Sequence, residues 1–533
     1  ATLAGIRRVL PVIVTALALL AVAAPASARG FKYGVNAGDV TSSSAILWTR
    51  SDKAGRVTLQ VSRDRRFRGG LKRYRLRTRR SHDNTVQRKA SRLKPGKRYY
   101  YRFVQGRRRS ARGTFVTAPK PSSNASVRFA WSGDTDFTRQ PGKAAPYWNN
   151  GGVFQRMARE RNAFNIHLGD TIYSDTEVPF PGGQPAPALS VKQKWAKYRL
   201  NIRNRYLRAL RQSGGLYSHW DDHEFINDFA RGENSFRPSR SASSIGINGQ
   251  TLYKRGVRAF RDYTPVGYSS SRGIYRRFRW GKNAELFFLD ERSFRDPKAS
   301  SGGTCNNPAT GKPDFAPAAP QRIRNVFAFI EPSLAQPVPP ACIARLRDPS
   351  RTFLGSAQYA RFTNAIRASK ARWKIIVNEM PIQQSYVLPY DNWEGYEGER
   401  QKLLSFLQAN VKNTIFLTTD VHATLVNDAR FATFPEEGGT RNSGIFDFTV
   451  GPTATENYSQ EIDEKTGKPG SGNLARDAFF KAPPPNGPGM RCAVTDKFSY
   501  GEVKATRSTL TVTAKGIDGK PLADCAPLTL TLK

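Results

Sequence analysis

The sequence predicts an α/β protein whose core of alternating strands and helices follows an all-β sandwich domain and precedes a short C-terminal β region. Three observations predict it. From Val127 onward, short apolar runs alternate with helical stretches, the texture of an α/β core. Residues 31–118 instead carry strand-like runs divided by Ser, Gly, Asp and Pro turns at sandwich spacing. The composition, 38% hydrophobic with 44 glycines in 533 residues, is that of a globular chain able to bury a large core. It excludes a disordered, collagenous or polytopic membrane protein.

Taken in order, the chain opens with Arg7 and Arg8, an apolar run over 9–26 broken by Pro11 and Pro25, and the small residues Ala26-Ser27-Ala28. Residues 1–28 therefore read as a signal peptide, with Arg7-Arg8 leaving general secretory and twin-arginine export both open. A secreted, periplasmic or wall-associated protein is expected. The four cysteines, Cys305, Cys342, Cys492 and Cys525, fit an oxidising compartment and two disulfides. Of three pairings, the local one is expected: Cys305–Cys342 and Cys492–Cys525.

The sandwich domain spans 29–120, with strands at 45–50, 56–61 and 98–104. Leu93-Lys94-Pro95-Gly96 followed by Tyr99-Tyr100-Tyr101 resembles the Pro-Gly-then-Tyr pattern of a fibronectin type III domain. The net charge is +43, and residues 51–120 alone hold 24 Lys/Arg against 3 Asp/Glu. Such a field attracts an anionic polymer or lipid surface, or reflects a basic bias across a proteome. The arginines alternate with Tyr, Val and Leu as on the wet face of a sheet. Specific nucleic-acid binding is not expected. After a polar linker at 119–125, the catalytic domain covers 126–490. Its strands are expected at 127–131, 164–168, 286–289, 374–377 and 414–417, and its helices at 152–161, 192–210, 357–369 and 397–408. A Pro/Gly/Asn-rich insertion loop occupies 296–350. Residues 491–533 return to β structure that packs on the catalytic domain.

The chemistry sits at strand ends, where open α/β sheets bind ligands. The expected strands run into Ser132-Gly133-Asp134-Thr135-Asp136, Gly169-Asp170-Thr171-Ile172-Tyr173, Asp290-Glu291-Arg292, Asn378-Glu379 and Thr418-Thr419-Asp420-Val421-His422. A helical segment leads to Trp220-Asp221-Asp222-His223-Glu224. One Gly-Asp after a strand is an ordinary turn; six acidic ends in one domain call for cations. Only five histidines exist: His82, His167, His219, His223 and His422. The donors are therefore oxygen-rich and suit Ca²⁺, Mg²⁺, Mn²⁺ or Fe³⁺ better than zinc or copper. Tyr173 offers a phenolate, or packs beneath the turn. Clusters of hard cations clamp a phosphoryl group and lower the pKa of bound water from about 15.7 towards ~7. The expected reaction is attack of a metal-bound hydroxide on a phosphate ester. His223 would protonate the leaving alkoxide, and Arg292 would grip a phosphate oxygen or pair with Asp290 or Glu291. His167 reads as core or supporting. No Gly-x-Ser-x-Gly elbow and no P-loop are present.

His167-Leu168-Gly169-Asp170, the 220–227 stretch, Leu289-Asp290-Glu291-Arg292, Arg351-Thr352-Phe353-Leu354-Gly355 with Gln358, Asp391-Asn392-Trp393-Glu394-Gly395-Tyr396 and Asp420-Val421-His422 occur in this order. Together they resemble the PhoD-like family of secreted alkaline phosphatases and phosphodiesterases, within the calcineurin-like metallophosphoesterase fold. The resemblance implies a metallophosphoesterase-type βα sandwich core and a cluster of Fe³⁺ with Ca²⁺. It implies Asp170, Tyr173, Asp420 and His422 as ligands, with Asp222 and Asn378. It further implies hydrolysis of phosphomonoesters or phosphodiesters, in some members of phospholipids or teichoic acid, by an enzyme expected to be a monomer. The family's iron-binding Cys after the first strand is replaced here by Gly133, followed by Asp134. Either Asp134 supplies that donor, or the site is one of Ca²⁺, Mn²⁺ or Mg²⁺. The rival reading is a non-catalytic polyanion-binding surface protein.

Overall fold

The computed structural model describes residues 30–241, 243–328, 331–431, 441–484 and 487–533. The signal peptide expected over 1–28 lies outside them. Two sheets packed face to face form the core. The first has nine strands in the order Leu528–Thr531, Thr509–Gly516, Ser499–Ala505, Val127–Ser132, Phe164–His167, Gly215–Ser218, Val35–Gly38, Ala45–Arg50 and Thr85–Ala90. The second has seven: Arg276–Trp280, Ala284–Phe288, Trp373–Val377, Thr414–Thr418, Asn442–Thr449, Thr424–Arg430 and Cys492–Val494.

Side-chain alternation explains the layering. Phe129, Trp131, Leu286, Phe288, Ile375, Val377, Ile415 and Leu417 all point into the space between the sheets. Their neighbours Phe287, Ile376 and Phe416 point the other way, beneath the helices Ser356–Arg367 and Glu397–Asn410. This period of two, apolar on both faces, is what a strand covered on both sides requires. Across the sandwich, Phe164 lies 4.5 Å from Trp280 and Tyr217 4.6 Å from Phe278, ring centre to ring centre. The central strands of each sheet run parallel. Their carboxyl ends therefore emerge together along one rim. Trp131 Nε1 donates to Thr418 O (3.1 Å) and Thr419 Oγ1 to Leu168 O (3.0 Å), stitching the two sheets at that rim.

Several expectations are corrected. The single helix expected over 192–210 is two helices, Val191–Ile202 and Arg205–Ser213. Asn204 interrupts them because its side-chain oxygen caps Tyr206 N (2.8 Å) and Leu207 N (3.1 Å) of the second. The 220–224 segment is fed by the strand Gly215–Ser218 and not directly by a helix. The 296–350 region is not an open loop: it contains the helices Gln321–Phe327 and Pro340–Arg347, and its Leu334, Cys342 and Leu346 are buried in a cluster shared with Tyr390, Leu425 and Phe479. The disulfides are Cys305–Cys342 and Cys492–Cys525, as expected. Strands from both sides of residue 120 share one sheet, since Val35–Gly38 pairs in parallel with Gly215–Ser218. No helix among the described residues is long and apolar enough to cross a membrane.

Candidate metal centre

Six strand ends deliver the functional side chains to the rim. Asp134, Asp170, Asp420 and His422 all sit at positive φ (59°, 42°, 69° and 52°). Non-glycine residues pay of order 1–3 kcal/mol for that conformation and hold it only where the surroundings over-determine it. Here it curls each chain back immediately after its strand, so that the side chains converge. Ligand atoms of Asp134, Asp170 and His422 lie within 4.8 Å of one another; so do those of Asp170, Asp222 and His223, and those of Asp221, Asp222 and Asp420. Asp170 and Asp222 each join two of these groups. The Tyr173 hydroxyl lies 3.0 Å from His422 Nε2. The sequence-derived donors Asp134, Asp170, Tyr173, Asp222, Asp420 and His422 are thus brought together. Asn378 stands apart in its bonding: its carboxamide donates to Met380 O and accepts from Trp393 Nε1 (3.3 Å).

The loops are locked from behind. Glu224 accepts from Thr171 N and from Asp221 N (both 2.7 Å), clipping two loops together. Asn201 donates from one amide nitrogen to Thr135 O (2.8 Å) and Thr171 O (2.9 Å). The sequence marks Asp221 and Glu224 only as members of the 220–224 acidic run and leaves Asn201 unmarked. Two neighbouring acids cannot be ranked without geometry, although an Asp-Asp-His-Glu run was itself a signal. Gly133 has a packing reason: a Cβ there would lie 2.0 Å from Leu168 O. A cysteine cannot occupy that position in this backbone. Asp134, one residue on, is the side chain that faces Asp170 and His422.

The electrostatics favour a cation. Both carboxylate oxygens of Asp134 are buried without a hydrogen-bond partner, a costly state unless something positive meets them. Burial, reinforced by Asp221, holds Asp134 well above the usual carboxylate range. Burial likewise raises Asp170 and Asp420 and lifts Asp222 to about 7. Burial lowers His422 to about 4, leaving a neutral imidazole suited to ligation. His223 differs. Burial opposes its charge, but Asp222, Asp175 and Asp170 outweigh that and hold it well above an ordinary histidine. Its Nδ1 meets Asp175 Oδ1 at 2.8 Å, and its ring stacks on Tyr173 at 4.1 Å. Arg292 is fully buried and pairs with Asp221 and with Asp391 (2.7 Å), not with Asp290 or Glu291. Its Nη2 has no hydrogen-bond partner and lies 3.7 Å from both Asp222 and Asp420. His167 is buried, bonded to Thr135 Oγ1 at 3.1 Å, and pushed down to about 3 by burial. It supports the first loop. An oxygen-rich donor set with orphaned carboxylates fits hard cations.

Comparison with known proteins finds relatives along most of the chain. The family model described as PhoD-like phosphatase matches residues 143–514, and that of the PhoD-like phosphatase N-terminal domain matches 16–119. Alkaline phosphatase D of Bacillus subtilis (strain 168) is 25% identical over 432 residues, covering 74% of this chain. The chain spans 65% of that relative's length. The solved structure of PhoD aligns over 94% of this chain and 90% of its own, at 21% identity and a TM-score of 0.70. Purple acid phosphatase PPD1 from yellow lupin seeds aligns over 94% of this chain and 74% of its own, at 12% identity and a TM-score of 0.54. At those identities the two structures speak to the fold alone.

Proposed function

The chain belongs to the PhoD-like phosphatase family, and from that premise we propose that it is an exported, metal-dependent phosphoric ester hydrolase acting on phosphomonoesters or phosphodiesters. The observation that carries the reading is the convergence of Asp134, Asp170 and His422, with both Asp134 oxygens buried and unpartnered. Asp134, Asp170, Tyr173, Asp222, Asp420 and His422 would hold the cations. Calcium and iron are the expected pair by resemblance, with manganese or magnesium as alternatives. When bound, such cations supply Lewis-acid polarisation of a phosphoryl oxygen and acidify a water.

The chain's own residues supply the rest. His223 is held protonated by Asp222, Asp175 and Asp170, and Asp175 also fixes its ring, so it can hand a proton to the departing alkoxide. Arg292 balances the carboxylates around it and turns its unpartnered Nη2 towards Asp222 and Asp420. Export is supported by the two disulfides. The exposed arginines Arg73, Arg75 and Arg77 of the strand Lys72–Thr78 would gather polyanionic substrate.

The test combines elemental analysis of the purified protein with assays on an aryl phosphate and a bis-aryl phosphate, before and after chelation. Expected are bound cations, activity lost on chelation, and activity restored by the same metals. An Asp170→Asn protein as active as its parent overturns the reading.

A further inference from the structure

Away from the metal centre, a cavity of about 850 Å³ opens between the N-terminal strands and the catalytic core. Its walls come from the turn after Val35–Gly38, the strands Ala45–Arg50, Thr85–Ala90 and Arg276–Trp280, and the helix Ser356–Arg367. That volume is typical of small-ligand pockets. The charges lining it are lopsided: Lys89, Arg272, Arg276, Arg277 and Arg361 against Asp39.

Asp39 is committed elsewhere. Its Oδ2 accepts from Gly267 N at 2.6 Å and its Oδ1 faces Arg276 Nε at 3.7 Å. Arg276 is nearly buried and is itself tied to Ser218 O at 2.8 Å. No acidic side chain among the described residues pairs with the other four cations. Two polar atoms in the wall, Arg361 Nη1 and Tyr275 Oη, are buried with no hydrogen-bond partner. Buried donors left unpaired cost about 1–3 kcal/mol each, so they mark a place where an acceptor is missing. Tyr275, Arg277 and Arg361 line the same cavity. Guanidinium forks and a phenol hydroxyl form the donor set that a tetrahedral oxyanion accepts from. Ile46, Phe278 and Ala365 add an apolar wall, and a lone phosphate would leave most of the volume empty.

We propose that this cleft is a second phosphate-binding site, taking the phosphate group of a free or esterified phosphate outside the metal centre. The choice of ligand class rests on the hydrolase reading; the existence of an anion site does not. None of the lining residues belongs to the converging donors. The lining segment does touch that region, since Ile274 N donates to Asp290 Oδ2 at 2.9 Å and Asp290 Oδ1 accepts from Trp220 Nε1.

Equilibrium dialysis of the metal-loaded full chain with labelled orthophosphate tests it, with phenylphosphonate as a non-hydrolysable analogue of a phosphate ester. The wild type binds two equivalents, one per site. Arg277→Gln/Arg361→Gln weakens one of them at least tenfold and leaves kcat on a small aryl phosphate unchanged. Lys89→Glu, on another wall and fully compatible with its exposed strand position, weakens the same equivalent at least fivefold. Asp170→Asn retains the cleft equivalent. If the substituted proteins bind as much ligand as the wild type, or if Asp170→Asn abolishes all binding, the proposal fails. A wild type that binds one equivalent, unchanged in Asp170→Asn but lost in the double variant, upholds the cleft and overturns the hydrolase reading instead. Tighter phenylphosphonate than orthophosphate assigns the cleft to esters; the reverse assigns it to free phosphate.

Discussion

At the scale of single residues, the pair Gly133-Asp134 divides one task in two. Gly133 lets the chain pass against Leu168 O, and Asp134 turns its bare carboxylate to Asp170 and His422. Gly133→Ala would force an overlap with backbone, which cannot yield as a flexible side chain would. It is expected to cost roughly 1–3 kcal/mol, read as an earlier thermal transition. A protein that melts with its parent would show that the loop can move. Asp134→Asn keeps the shape and removes the charge. Elemental analysis should find about one cation fewer per chain, and kcat should fall by at least about 100-fold, the upper range for losing a supporting group at a metal site. Unchanged metal content in that variant would remove Asp134 from the donor set.

At the scale of elements, Asn204 decides where one helix ends and the next begins. Asn204→Ala removes the cap on Arg205–Ser213 and is expected to cost about 1 kcal/mol, measured by thermal unfolding against Asn204→Asp, which keeps an acceptor. Equal losses in both variants would mean the cap oxygen is not what matters. Much of this level was legible in the sequence. Val127–Ser132, Trp373–Val377 and Thr414–Thr418 are apolar on both faces and bounded by acids, so both the strands and their functional ends could be read. The break at Asn204 could not, because the Lys, Arg and Leu periodicity runs straight through it. Arg276–Trp280 was missed for a related reason: three arginines in five residues hide Phe278 and Trp280, which carry the burial. At the site, Asp170, Tyr173, Asp420 and His422 stood out by their place after strands. Asn201 did not, since it acts through backbone groups of loops 30 or more positions away, and Glu224 showed only as part of an acidic run, its hold on Thr171 N spanning 53 positions.

At the scale of the whole molecule, the acidic rim makes stability depend on its cations. Burial holds the carboxyls of Asp134, Asp170 and Asp420 above their unfolded values, so the folded chelated protein binds more protons than the unfolded chain. Its stability is therefore expected to fall as pH rises above the ordinary carboxylate range. In the loaded protein a cation replaces those protons and the slope flattens. Melting curves of chelated and loaded protein from pH 5 to 9 check this; parallel curves would refute it. The shared sheet leads to a second expectation. Deleting residues 30–119 strips Val35–Gly38 from Gly215–Ser218 and bares the core faces packed under Leu47, Leu59 and Phe103. The remainder should be insoluble or bind hydrophobic dyes, as judged by size-exclusion chromatography, and a monodisperse product would contradict it.

The strand Val127–Ser132, which leads into Asp134, is hydrogen-bonded on one side to Ser499–Ala505, more than 360 positions later. A ribosome delivers the first of these long before the second. Throughout that interval the nascent polypeptide has an open strand margin beside the loop that carries Asp134, and pairing across so long a separation is slow. Closure of that margin is thus one of the last pairings open to the polypeptide, timed by the emergence of Ser499–Ala505 and not by the acidic loops that precede it.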